Sequence, residues 1–127
     1  MYLRFVVTSI DEDSHKQQGV FIAAYELLDS GSLSKEEWAE LREVLDWFRK
    51  HLPTPPESFV AGRAIFWFRS EAKDGIQRIW ELVEILRRHG QQVEVLKCRR
   101  LGNIFYYDAY QVAAYPSNLD GRITSNA

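Results

Sequence analysis

Residues 63–70, RAIFWFRS, place three aromatic side chains in succession between two arginines. Neighbouring side chains of a strand point to opposite faces, so Phe66 and Phe68 lie on one face and Ile65 and Trp67 on the other. Because neither face is polar, this strand must be covered on both sides, which limits the chain to folds with a buried sheet. The alternatives are a dimer face or a platform for unstacked bases, but the RGFGF-like run of RNA-recognition modules is missing here.

Length and charge exclude several classes of protein. A chain of 127 residues suits one domain with a single core. No run of roughly 18 apolar residues suggests a membrane span, and the N-terminus lacks the cleavage pattern of a secretory signal. The net charge of −2 gives no electrostatic basis for binding nucleic acid, and the single Cys98 cannot form an internal disulfide. We therefore expect a cytoplasmic protein without a membrane or nucleic-acid partner.

Apolar periodicity predicts an α/β fold, with α+β as the alternative, in residues 1–116, followed by a frayed tail at 117–127. The surest element is the second helix, where Ser34 and Glu37 have the spacing of a capping box and Pro53 prevents continuation. The predicted elements are a strand at 2–10, a helix from about 18 to Gly31, a helix at 34–52, a strand at 63–70, a helix at 71–89, a strand at 92–98, and one long or two short strands from 104 to 115.

The order β-α-α-β-α-β-β predicts a mixed sheet of four to five strands with three helices. A strand–helix–strand unit favours parallel neighbours, whereas a tight turn at 101–103 would make the strands on either side of it antiparallel. If the last pair lies beyond the first strand, helices cover both faces and a crevice opens at the end of that strand. If strands add in order, all helices lie on one face and the other face would pair with a second copy. We expect the first arrangement.

An acidic loop follows the first strand and contains Asp11, Asp13 and His15. The carboxylates could hold Mg²⁺ or Mn²⁺, with His15 as a third ligand or general base, and the ion would support phosphodiester hydrolysis. The same loop could be plain solvated surface, in which Asp13 or Ser14 caps the first helix.

Two resemblances accompany these patterns. The acidic strand end is similar, over about a dozen residues, to the small metal-dependent nucleases associated with CRISPR systems. Those nucleases have a ferredoxin-like order, whereas two helices precede the second strand here, so neither fold nor activity is implied. The segments RFVVTS, WFRKHLPTP, AIFWF and YYDAYQVAAYP resemble a family of small bacterial proteins with no known activity, which implies a bacterial source and no mechanism.

The start of the third helix offers a possible anion site formed by Arg69, Ser70 and Lys73. Glu71 and Asp74 in the same turn oppose an anion, and helix capping is the competing interpretation. Catalytic motifs such as GxSxG or a P-loop are missing from the sequence. Cys98 lies among basic residues that could activate it, but it alternates with Leu96 and is expected to pack as a small apolar side chain.

Aromatic and aliphatic side chains on polar surfaces indicate contacts with a partner. Trp47 and Ile85 lie off the apolar stripes of their helices, and Tyr106 and Tyr110 lie near the last strand. Trp47 could instead be buried against the first helix. The leading hypothesis is a binding or protein-interaction module without a cofactor, whose partner is a protein or a second copy; the alternative is a Mg²⁺- or Mn²⁺-dependent nuclease or phosphodiesterase.

Overall fold

The computed structural model describes residues 1–10, 17–53, 65–115 and 122–125. The predicted order of strands and helices is confirmed, and two short strands add to it. The elements are β1 (Tyr2–Ile10), β2 (Gln17–Gly19), α1 (Val20–Asp29), α2 (Lys35–His51), β3 (Ile65–Arg69), α3 (Lys73–Arg88), β4 (Val93–Cys98), β5 (Ile104–Tyr107), β6 (Gln111–Ala114) and β7 (Arg122–Ser125). Residues 117–127 were expected to be frayed, but β7 lies within them and pairs with β4. The expectation was therefore wrong for Arg122–Ser125.

Local sequence explains where the helices begin and end. At α2 the backbone N–H of Glu37 donates to Ser34 Oγ (3.1 Å) and the N–H of Ser34 donates to Glu37 Oε1 (3.0 Å), which confirms the capping box. This N–H of Ser34 is the main reason that the pKa of Glu37 is lowered. Helix α3 ends at Arg88, and Gly90 two residues later has a φ of 86°, a value that suits glycine. None of the helices in the described part of the chain is long and apolar enough to cross a bilayer.

The sheet is antiparallel at every described pairing, in the order β5-β6-β3-β1-β4-β7 with β2 also on β1, so the mixed sheet was wrong. Strands β3 and β4 do run parallel to each other, but β1 lies between them and is antiparallel to both. The prediction of a tight turn at 101–103 that joins neighbouring antiparallel strands was also wrong, because β4 and β5 lie on opposite sides of β1. Residues 99–103 instead connect the two sides of the sheet, and Leu101 is buried on the way.

All three helices cover the same face of the sheet, which overturns the expectation of helices on both faces. The helix-face core consists of buried residues from α1, α2 and α3 together with Phe5, Val7, Phe68 and Val93 of the sheet. The second-face core holds no residue of the described helices. Its buried members are Val6, Ile65, Trp67, Leu96, Cys98, Leu101, Val112 and Ala114.

The aromatic run in β3 is divided between these two cores. Phe68 belongs to the helix-face core and Trp67, with 2% of its surface exposed, to the second-face core. The strand is therefore buried on both faces, as the sequence predicted. Phe66 is only half-buried, and its surroundings are part of the site described next.

Candidate functional site

The predicted metal ligands Asp11, Asp13 and His15 lie outside the described residues, so this site stays a prediction. Within the described ranges, no three His, Cys, Asp or Glu side chains converge on a position that could hold a metal ion.

Two of the three predicted anion ligands, Arg69 and Ser70, bind the chain's own Glu71 carboxylate. Ser70 Oγ donates to Glu71 Oε1 (2.9 Å) and Arg69 Nη2 donates to Glu71 Oε2 (3.3 Å). The Ser70 hydroxyl is the main cause of the lowered pKa of Glu71. Lys73 is exposed at the first position of α3, and Ser70 does not cap this helix, whose N-cap is Ala72. These contacts leave the anion site without structural support.

Two predicted interface residues have different outcomes. Ile85 is 2% exposed and belongs to the helix-face core, so its assignment to the surface was wrong. The buried surface of α3 is wider than one stripe because this helix contacts both α1 and α2. Trp47 is half-buried: its ring stacks on His51 (4.4 Å between centroids) and lies under the guanidinium of Arg78 (5.5 Å). Its described ring contacts are with these residues, Phe48 and Tyr110, none of which is in α1.

The two predicted tyrosines help to hold the turn between β5 and β6. Tyr106 donates its hydroxyl to Asp108 Oδ2 (2.7 Å), and Tyr110 donates to Asp74 Oδ2 at the start of α3 (3.1 Å). Asp108 Oδ1 also accepts the backbone N–H groups of Tyr110 and Gln111 (2.8 and 3.0 Å). Both hydroxyls therefore have partners within the chain, and their arrangement suits a structural role.

The pH dependence of Tyr106 tests this arrangement. Burial, aided by the Asp108 carboxylate, raises its pKa from 10.0 to about 12. A raised pKa means that the contribution of Tyr106 to stability is complete below about pH 10 and is lost as the pH rises towards 12. In a near-ultraviolet titration of the folded protein we expect Tyr106→Phe to remove a phenolate step near pH 12. Loss of a step near pH 10 instead would contradict the burial of this hydroxyl.

A separate cavity opens where β1 and β3 part from each other. Within the described residues, the pairings between these strands are Tyr2↔Arg69 and Leu3↔Phe68. Further along β1, the edge that faced β3 pairs with β2 instead, at Val6↔Gly19, while the other edge stays paired with β4. Because β3 has no described pairing with β1 beyond the first two residue pairs, a gap forms in the sheet beneath α1 and α2.

We call this gap the β1–β3 pocket; its volume is about 590 Å³, a size common among ligand sites. Adjacent residues such as Trp67 and Phe68, whose side chains point to opposite faces, both line it, so the cavity extends between the strands. Its described lining residues are Arg4, Phe5, Gly19, Val20, Phe21, Ile22, Tyr25, Leu45, Phe48, Arg49, Leu52, Pro53, Ile65, Phe66, Trp67, Phe68 and Gln111.

Packed aromatic rings form one side of the pocket. The Phe21 ring meets Phe48 edge-on (5.0 Å between centroids) and lies 6.2 Å from Phe68. Phe5 makes a further edge contact with Phe68 (6.4 Å). Since these rings are held by their contacts with one another, this side of the pocket is already in place before a ligand enters.

The backbone of Phe66 supplies polar groups to the same pocket. The backbone N–H of Arg69 donates to the carbonyl of Tyr110 on the β6 side (2.8 Å). The backbone N–H of Ser70 donates to the carbonyl of Met1 on the β1 side (3.1 Å). Backbone groups of successive strand residues alternate between the two sides, so the N–H and C=O of Phe66 point towards β1. No described residue of β1 is paired opposite Phe66, and these groups face the gap.

The described lining of the pocket is mostly apolar, and its charged members are both basic. Its charged lining residues, among those described, are Arg4 and Arg49, and no Asp or Glu accompanies them there. Gln111, which is almost fully buried, uses its side-chain amide within the chain by donating to the carbonyl of Pro53 (3.1 Å) and to Asp108 (3.2 Å).

The pocket was not predicted from the sequence because its aromatic and aliphatic residues have the spacing of ordinary core. Two signals were present: Arg4 interrupts the apolar first part of β1, and Ile22 and Tyr25 leave the stripe of the first helix. Ile22 and Tyr25 are indeed exposed, at the edge of the pocket.

No protein-family model, curated protein or solved structure matches the chain.

Proposed function

We propose that this protein is a binding module whose β1–β3 pocket takes a small ligand with an apolar body. The observation that carries the proposal is the aromatic-lined gap between two strands of one sheet. Apolar cavities of this size with a few fixed polar groups are the usual sites of small-molecule binding. The backbone N–H and C=O of Phe66 provide such groups. This proposal keeps the binding hypothesis drawn from the sequence but assigns a small ligand to the site.

The chemistry of the lining favours binding over catalysis. Its polar side chains, among the described residues, are Arg4, Arg49, Gln111 and the phenol of Tyr25. The described lining contains no thiol, carboxylate or imidazole that could serve as a nucleophile or general base. The strongest features of the site are shape and apolar surface, which give affinity without a reaction.

Gly19 offers a direct test by obstruction of the pocket. It lines the cavity, and a Cβ added there meets no atom within 4 Å. Its φ of −71° is one that any L-residue adopts. We expect wild-type protein to bind anilinonaphthalene sulfonate, an aromatic probe, saturably and at one site, and Gly19→Trp to weaken this binding by at least about tenfold because its ring occupies the pocket. Fluorescence titration measures the affinity.

Gly19→Ala is the matched control, since it makes the same change at the N-cap of α1 but adds only a methyl group. It should bind as the wild type does. Amide chemical shifts locate the probe independently of the variants, and we expect changes at Gly19, Ile22 and Phe66 but not at Trp38, which does not line the pocket. Binding that is not saturable, or shift changes centred elsewhere, would contradict the proposed function.

A further inference from the structure

We infer that the ligand of the β1–β3 pocket is an amphipathic acid, with an apolar body and one anionic carboxylate that pairs with Arg49. The inference rests on the proposed function, since it names the class of ligand that this pocket takes. It is argued from the charge of the lining, the surroundings of Arg49 and the apolar depth of the cavity.

The charged side chains in the described lining of the pocket are opposite in sign to the net charge of the protein. The chain carries a net charge of −2, yet the described lining has two arginines and no acidic residue. Positive groups beside an apolar, low-dielectric wall attract an anion more strongly than they would in open water. A cationic ligand would be repelled, and a neutral ligand would form no ion pair with the arginines.

Arg49 is only weakly paired with a carboxylate of the described residues. Its nearest described carboxylate oxygen is Asp46 Oδ1, 3.9 Å from Nη1, and that same oxygen lies closer to Arg42 Nε, at 3.2 Å. Two guanidinium groups therefore share one carboxylate. The Arg49 side chain is 61% exposed, so it can turn to a ligand and lose only a weak ion pair with Asp46.

Arg4 is the other arginine of the described lining. It is half-buried and is already engaged in an interaction within the chain, so the pair with the ligand is assigned to Arg49. A guanidinium group suits a carboxylate because its N–H donors match the two oxygens of the acid. The aromatic side of the pocket then receives the apolar body of the same ligand, which matches a monoacid better than a polyanion.

The test compares dodecanoate with dodecanol, which share an apolar body and differ in the anionic head group. Titration calorimetry on the full chain, below the concentrations at which the probes aggregate, measures both affinities. We expect dodecanoate to bind about fivefold more tightly than dodecanol, as a pair with an exposed arginine allows. Arg49→Gln should remove this preference while the affinity for dodecanol stays the same.

Lys50→Gln is the matched control, because it removes one positive charge from an exposed position next to Arg49 in α2 without changing the described lining of the pocket. It should retain the preference for dodecanoate. Equal affinity of the wild type for both probes would overturn this inference and leave the proposed function standing, whereas binding of neither probe would overturn both. Loss of the preference in Lys50→Gln to the same extent as in Arg49→Gln would overturn the assignment to Arg49.

Discussion

Replacement of Trp67 by alanine is expected to lower the free energy of unfolding by about 3–5 kcal/mol. The side chain is 2% exposed and packs in the second-face core with Val6, Leu96 and Cys98. Its truncation removes a large apolar surface from the interior and leaves a cavity that its neighbours fill only in part. Equilibrium denaturation of both proteins, with the slope against denaturant checked for constancy, measures the difference.

The matched control is Trp38→Ala, which deletes the same side chain from a surface position. Trp38, in α2, is 44% exposed, so its loss should change stability by about 1 kcal/mol or less. If the two substitutions had equal effects, Trp67 would not belong to a core, and β3 would be an exposed aromatic surface after all.

The elements of this fold were predictable because their signals are local. Ser34 and Glu37 form a capping-box pattern within four residues and so indicate the start of α2, and Pro53 follows its end. The alternation around Trp67 likewise indicates burial on both faces without reference to any other part of the chain. Strand β2 lacks such a signal, since Gln17–Gly19 is only three residues long and acquires its strand geometry from pairing with β1.

Strand order could not be predicted in the same way, because it depends on pairings between distant segments. The sequence around β3, α3 and β4 predicts a crossover between parallel strands, and nothing within those residues shows that β1 enters between them. The burial of Trp67 was therefore predicted correctly for the wrong reason. Helices were expected over it, whereas its described neighbours are strand residues and Leu101 of the connection after β4.

The pocket was hidden for a related reason. Phe21, Phe48 and Phe68 have the spacing of core residues, and they do contact each other as core residues. The cavity arises because β1 exchanges its partner from β3 to β2 after two residue pairs, which is a property of the pairing and not of any one segment. Arg4 and Gly19 are the residues that this exchange brings to one place.

Thiol labelling of Cys98 is expected to be on the order of a thousandfold or more slower in native protein than in unfolded chain. The sulfur belongs to a residue with 0% exposure, and Cys98 Sγ donates to the carbonyl of Arg100 (2.9 Å). Strand β4 has neighbours on both sides, β1 and β7, so exposure of this thiol requires opening of the sheet. The rate of reaction with an aromatic disulfide reagent, measured with and without denaturant, gives the ratio.

The matched control has its thiol one position earlier, in the double variant Lys97→Cys/Cys98→Ala. Position 97 is exposed on the same strand and still has Arg99 and Arg100 close by in sequence, so this thiol should react about as fast as one in an unfolded chain. A labelling rate of native Cys98 within about tenfold of that control would show that the thiol is accessible, and it would support the hypothesis that Cys98 is a reactive group. Slow labelling of Cys98 beside fast labelling at 97 would confirm that burial, and not the charge of the strand, governs this cysteine.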